Sequence, residues 1–291
     1  DVLEPGSTIK PLLIASALDA QVVRRDAVFD GHKGRLRVGR NVITDSHPEK
    51  RFALLDIIKF SSNIGAVQVA QRLGKEKWYQ YLRAFGFGQK SGLALRGEQV
   101  GILRNARKWG QIHLATSAYG YGFSATPIQL VRAYSVLANG GMLVEPRLIR
   151  RILSSTGDVI EERPIRVTER VISQRAALAA REGLIRVTQK GGTGTRARIN
   201  GYVVAGKTGT AHKVDPAVGG YNREKVWASF AGFVPANNPA LVIYVAVDEP
   251  KKAQYGGVVA APIFAQIAAE SLPYLGIANT KGEHSAVTQP R

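Results

Sequence analysis

The chain has 291 residues, a formal charge of +18, 45% apolar residues and no cysteine. That length can bury a large core in one domain or two, and the missing thiols exclude disulfides, thiolate metal sites and cysteine nucleophiles. No run of about 18 apolar residues occurs, which excludes a membrane-spanning helix from these residues.

The five histidines (His32, His47, His113, His212 and His284) show no metal-ligand spacing, so no metal or other cofactor is expected. The charge suits either an anionic partner or a basic solvated surface. The arginines from Arg147 to Arg198 are spread rather than striped, and no nucleic-acid-binding signature accompanies them. No nucleic-acid partner is expected.

In chain order, Ser7 to about Ala20 is predicted as a helix, with Ile9, Leu12, Leu13 and Leu18 on its apolar face and Pro11 in its first turn. Residues 28–44 are Gly-rich and alternating, which predicts a hairpin. Helices are predicted over 52–59, 64–73 and 76–85, the last two stopped by Gly74 and Gly86. Thr126 and Pro127 open a helix that runs to Ala138. Two strands are predicted within 147–161, and a helix over 173–189. From Tyr202 onward strands are predicted over 202–211, 226–234 and 240–248, antiparallel because the gaps are turn-rich. Residues 258–272 form an apolar helix that can cover this sheet. Residues 276–291 are expected to be a disordered tail.

Three strings carry chemistry: Ser7-Thr8-Ile9-Lys10, Ser61-Ser62-Asn63 and Lys207-Thr208-Gly209-Thr210. Only Ser7 among the serines has a lysine three residues on, and only Ser61 has an asparagine two on. If Ser7 opens a helix, Lys10 lies one turn later on the same face. Burial and a second cation, Lys207, are expected to depress the Lys10 pKa and free its lone pair. Ser61 and Asn63 present a hydroxyl and an amide where a helix stops. Lys207, Thr208 and Thr210 offer an ammonium and two hydroxyls to a carboxylate, while Gly209 is expected to leave room for a peptide beside the strand. The N–H groups of Ser7 and Thr210 are candidates for an oxyanion hole. Each string alone reads equally as a helix cap, helix punctuation or an ordinary strand; their order and contexts together favour an acyl-transfer site.

A competing pattern overlaps the third string. Gly201-Tyr-Val-Val-Ala-Gly206-Lys207-Thr208 matches the phosphate-loop pattern, and 241–249 resembles an acidic strand that could hold magnesium. A phosphate loop needs a bare turn leading into a helix. Tyr-Val-Val-Ala favours a strand instead, and the residues after Thr208 do not favour a helix.

With their flanks, Glu4-Pro-Gly-Ser-Thr-Ile-Lys-Pro11, Phe60-Ser-Ser-Asn-Ile-Gly65 and Ala205-Gly-Lys-Thr-Gly-Thr-Ala211 resemble the three motifs of the penicillin-binding proteins. The resemblance is to the transpeptidase domain of the class B, division-type enzymes. It extends to 120–130, 133–141, 229–233 and 255–264, and covers about residues 1–275. It implies an α+β fold of the penicillin-binding and serine β-lactamase type: an antiparallel sheet flanked by helices, with an all-α subregion. It implies a peptidoglycan D,D-transpeptidase. Ser7 would attack the D-Ala-D-Ala carbonyl of a stem peptide, and β-lactams would acylate the same serine. By that resemblance Lys10 is the base, Ser61 the relay and Asn63 the substrate-amide contact, while Lys207, Thr208, Gly209 and Thr210 bind substrate. Asn63, where elongation-type relatives tend to carry Asp, points to the septal branch.

The implied partners are stem peptides on lipid-linked precursor or nascent glycan, β-lactam antibiotics, a membrane glycosyltransferase and division proteins. The implied place is the periplasmic face of the cytoplasmic membrane, with an N-terminal anchor outside these residues. In that family strands of the sheet precede the nucleophile, so with Asp1 six residues before Ser7 those strands are expected to be missing, and the isolated chain to be either poorly stable or completed by an upstream piece outside these residues. The alternatives are a serine β-lactamase, a penicillin-sensing receptor, a basic wall- or nucleic-acid-binding module and the ATPase.

Overall fold

The computed structural model describes residues 1–93 and 95–279. A 3₁₀ turn, Gly6–Ile9, runs into α1 (Lys10–Asp19), followed by β1 (Val28–Asp30), β2 (Arg35–Val38), β3 (Asn41–Thr44) and β4 (Arg51–Ala53). Helices α2 (Leu54–Lys59), α3 (Asn63–Leu73), α4 (Lys75–Ala84), α5 (Gln111–Ser117) and α6 (Pro127–Ala138) come next. Strands β5 (Met142–Glu145), β6 (Arg151–Leu153), β7 (Val159–Glu162) and β8 (Arg166–Arg170) precede α7 (Gln174–Thr188). The chain then forms β9 (Ala205–Asp215), β10 (Gly220–Val234), β11 (Leu241–Asp248) and α8 (Gly256–Tyr274).

The central sheet has the order β11-β10-β9 among the described residues, and every pairing is antiparallel. Its strands are apolar on both faces because both are covered. On β10, Phe230 and Val234 face the cluster containing Ala260, Phe264 and Ala268 of α8. Ala231 and Phe233, alternating with them, join the main core. β11 repeats the pattern: Leu241, Ile243 and Val245 meet the α8 cluster, and Val242, Tyr244 and Ala246 meet the other side. Helix α1 lies in that main core, with every residue from Lys10 to Ala17 buried. A helix apolar nearly all round belongs in the middle of a molecule, and α1 touches α2, α3, α6 and α7. The fold is α+β, as the sequence implied.

Most predicted elements form close to their expected limits. The α6 start is a full capping box: the Thr126 hydroxyl accepts from Gln129 N at 3.3 Å, and Thr126 N donates to Gln129 Oε1 at 2.9 Å. Four expectations need correction. The hairpin predicted over 28–44 is confined to β2 and β3, because β1 pairs with β4 and sets Phe29 opposite Phe52 in the core. Phe52 is therefore in a strand, and α2 starts two residues later. The turn-rich gap predicted between 211 and 226 is mostly paired: β9 and β10 form one long hairpin around Pro216–Val218, with a register shift between Asn222 and Val226. The two strands predicted within 147–161 form as β6 and β7, while β5, β8 and α5 were not anticipated. Helix α1 begins at Lys10 rather than Ser7, which lies in the 3₁₀ turn.

Of the tail expected over 276–291, Ile277 packs against the α8 cluster and its carbonyl accepts from Tyr202 Oη at 2.7 Å. Residues 280–291 lie outside the described residues. No helix among the described residues is long and apolar enough to cross a membrane.

Candidate active site

The three strings converge. Ser7 is half-buried in the turn that feeds α1, and Lys10, the first residue of α1, is fully buried. The Lys10 amine donates to the Ser61 carbonyl at 2.5 Å, to Asn63 Oδ1 at 2.8 Å and to Ser61 Oγ at 3.1 Å. Burial lowers its pKa to about 7, and the nearby Asp45 carboxylate pushes it the other way. Burial rather than Lys207 is thus what lowers the proton affinity of the Lys10 amine. The repulsion between the two lysines acts on Lys207, whose pKa is held well below the usual value by burial and by Lys10.

Ser61 is placed by the end of α2. Its N–H donates to Ile58 O at 3.3 Å, and Ser62 N donates to Ile57 O at 3.1 Å. This is a left-handed helix stop with φ +62° at Ser61, a position that glycine usually fills. Ser62 then caps α3, accepting from Gly65 N at 2.9 Å. One carboxylate, Asp45, holds the whole corner. It accepts from Ser62 Oγ at 2.6 Å and from the N–H groups of Asn63 and Ile64 at 2.5 and 3.2 Å. Asn63 bridges outward, its Nδ2 donating to Thr44 O at 3.0 Å.

The third string lies on β9, an edge of the sheet, paired Lys207↔Ala231 to Thr210↔Ala228. Lys207 is fully buried and its Nζ donates to Thr208 O at 3.0 Å. Thr208 Oγ1 lies 2.9 Å from Thr193 Oγ1, and Thr210 Oγ1 accepts from Gly256 N at 3.2 Å. Gly209 does not open a space for a peptide. A Cβ there would meet Ser229 Oγ at 2.3 Å, Thr8 Cγ2 at 2.9 Å and Pro5 O at 3.3 Å. Its bareness lets β9 press against the turn that carries Ser7. Because β9 continues unbroken to Asp215 with no helix after Thr208, no phosphate loop forms, and Asp248 and Glu249 pair with Lys213.

Several residues here carried no legible signal in the sequence. Asp45 and Thr193 are far from the motifs along the chain. Glu4 stands beside the first motif, and its Oε1 accepts from Gly122 N at 2.7 Å and from Tyr221 Oη at 3.0 Å. Tyr121 stacks edge-on against Tyr221, and its hydroxyl accepts from His212 N at 3.0 Å. These contacts tie an aromatic wall to both the segment leading into the Ser7 turn and β9. Among the described residues no cluster could hold a metal ion.

The chain matches the family model "Penicillin binding protein transpeptidase domain" over residues 1–269. It is 41% identical over 289 residues to stage V sporulation protein D of Bacillus subtilis, covering 96% of this chain and 44% of that protein. It is 36% identical over 282 residues to the probable peptidoglycan D,D-transpeptidase PenA of Neisseria meningitidis, covering 97% of this chain and 46% of the relative. The chain thus spans a little under half of these curated relatives. Among solved structures, penicillin-binding protein 3 of Mycobacterium tuberculosis in complex with aztreonam superposes with a TM-score of 0.87 at 31% identity, over 96% of this chain and 64% of that one. The apo transpeptidase domain of Burkholderia pseudomallei penicillin-binding protein 3 gives 0.86 at 33% identity, over 96% and 81%.

Proposed function

Because this chain belongs to the penicillin-binding protein transpeptidase family, we propose that it is a peptidoglycan D,D-transpeptidase acting through an acyl-enzyme on Ser7. The observation that carries this reading is the Lys10 amine, buried one turn after Ser7, its pKa lowered to about 7 so that much of it is neutral, and ringed by Ser61 and Asn63. An ammonium donates to all three oxygens around it. A neutral amine has two hydrogens, so it can keep Ser61 O and Asn63 Oδ1 and turn its lone pair to a hydroxyl. In that state Lys10 takes the Ser7 proton as Oγ attacks the carbonyl carbon of the penultimate D-alanine. The C–N bond then breaks, and the proton passes by way of Ser61 to the departing D-alanine amine. An acceptor amine next attacks the ester, loses a proton and returns Ser7 Oγ–H.

The Ser7 N–H, in the first turn of a helix and without an intrahelical acceptor, and Thr210 N–H on the edge strand are the oxyanion donors. Lys207, Thr208 and Thr210 take the terminal carboxylate. That anion raises the depressed Lys207 pKa, so binding itself charges the lysine. Asn63 contacts the substrate amide. We assign the reaction to septal wall synthesis at the periplasmic face of the membrane, beside a membrane glycosyltransferase and division proteins.

Incubation with a β-lactam followed by mass spectrometry of Ser7-containing peptides tests this. A stoichiometric adduct on Ser7 is expected, and it should persist for many minutes. Glu4 and Asp45, two carboxylates on the segments that build the site, already accept backbone N–H groups and are poor candidates to activate water. Rapid release of hydrolysed drug would favour the β-lactamase reading; a folded protein with no adduct would overturn both.

A further inference from the structure

We propose that the solvent face of the β2–β3 ribbon is a docking surface for the carboxylate-bearing stem peptides of a peptidoglycan strand. This rests on the transpeptidase reading above and extends it to substrate recognition outside the motifs.

The ribbon abuts the site directly. Thr44, whose carbonyl accepts from Asn63, is the register partner of Arg35, and Val42 is the partner of Arg37. The inward positions Val38 and Ile43 are buried in the core. Alternation therefore turns Arg35, Arg37, Val42 and Thr44 outward together, and all four are exposed. The two arginines lie roughly 7 Å apart along the strand. Arg40 sits at the far turn, beside Gly39 with φ +58°, and Lys33 precedes the ribbon.

Residues 33–51 carry six cations (Lys33, Arg35, Arg37, Arg40, Lys50 and Arg51) against two acids, Asp45 and Glu49. None of the six has an ion pair or a side-chain hydrogen bond among the described residues. Elsewhere the protein does pair surface cations, as in Arg24–Asp26, Arg151–Glu162 and Lys213–Asp248. Asp45 is already committed to the Asn63 corner. Like charges this close repel one another, and an anion laid along them relieves that repulsion. Arginines two residues apart on one strand face suit repeated carboxylates, which they can bind bidentately. A peptide held through Asn63 meets these arginines where it leaves the site, so its acidic side groups are the occupant the position favours.

The test is sedimentation of the protein with purified sacculi freed of other anionic polymers, beside the same sacculi with their stem carboxylates amidated. Arg35→Glu/Arg37→Glu/Arg40→Glu is compared with the parent. We expect amidation and the triple variant each to weaken binding about tenfold, because several exposed charge pairs, each weak by itself, are lost together. Added salt should weaken parent binding too. Acylation of Ser7 by a β-lactam should be unchanged in the variant, which also reports that it is folded. Equal binding to native and amidated sacculi, which needs no variant, would overturn the proposal. So would binding that appears only on walls retaining their phosphate polymers. Failure of the transpeptidase reading is seen separately, as a parent protein that takes up no β-lactam.

Discussion

Lys10 and Ser61 show how much a single residue's surroundings decide. A lysine with a pKa near 7 is about half neutral at physiological pH, whereas an exposed one is almost wholly charged. The rate of Ser7 acylation should therefore rise with pH through a limb centred near 7, which stopped-flow acylation at a series of pH values would measure. Asp45 opposes the shift, so Asp45→Asn, which keeps the acceptor for Asn63 N, should move that limb to lower pH. A pH-independent rate from 6 to 8 would contradict the assignment of Lys10 as base. Ser61 pays a local cost: a non-glycine residue at left-handed φ is disfavoured by roughly 1–2 kcal/mol. Ser61→Gly should accordingly raise the unfolding free energy by about 1 kcal/mol while slowing acylation more than tenfold. Denaturant melts and acylation rates on the same sample would show both changes.

At the scale of elements, the site is three junctions pressed together: the turn before α1, the α2–α3 corner and the edge of β9. The β9 contact depends on Gly209. Gly209→Ala puts a methyl group 2.3 Å from Ser229 Oγ and 2.9 Å from Thr8 Cγ2, and overpacking of this kind costs about 1–3 kcal/mol. Ser229→Ala removes the nearer clash and should recover part of the loss, with the Thr8 contact setting what remains. A double-mutant cycle in urea measures that coupling; strict additivity would mean that the strand had moved away as a whole. Elements with local punctuation were legible in the sequence. The α6 capping box, the Ser173 cap of α7 and the apolar alternation of β10 act within a few residues. β1 and β4 were not, because short strands are defined by partners, and the pairing of Phe29 with Phe52 spans a distance that no local pattern reports.

At the scale of the whole molecule, two buried lysines are a stability cost that the fold carries for its site. The folded pKa of Lys10 lies below its unfolded value, so between about pH 7 and 10.5 the unfolded chain binds more protons. Stability should rise with pH across that window, and the burial cost is full below it. Lys10→Met keeps the packing and deletes the charge. It should flatten this dependence and raise stability at neutral pH, at most on the order of 4 kcal/mol, as thermal melts across pH would show. An unchanged slope in Lys10→Met would mean that Lys207 sets it instead.

The sequence by itself determined which groups are the candidates, since the serine–lysine spacing, the serine–asparagine pair and the Lys-Thr-Gly-Thr string need only their order to be recognised. It also determined most of the helices and strands, because helix caps and strand alternation are local, while the α+β class came from the family resemblance that the motifs carry. Tertiary structure decided what those groups can do. Burial, a property of the packed molecule, brings the Lys10 pKa down to about 7. Asp45, Thr193 and Glu4 became supports only when distant segments met. Gly209 proved to be a packing contact rather than an opening, because Ser229 and Thr8, far from it in sequence, occupy the space that its missing side chain leaves.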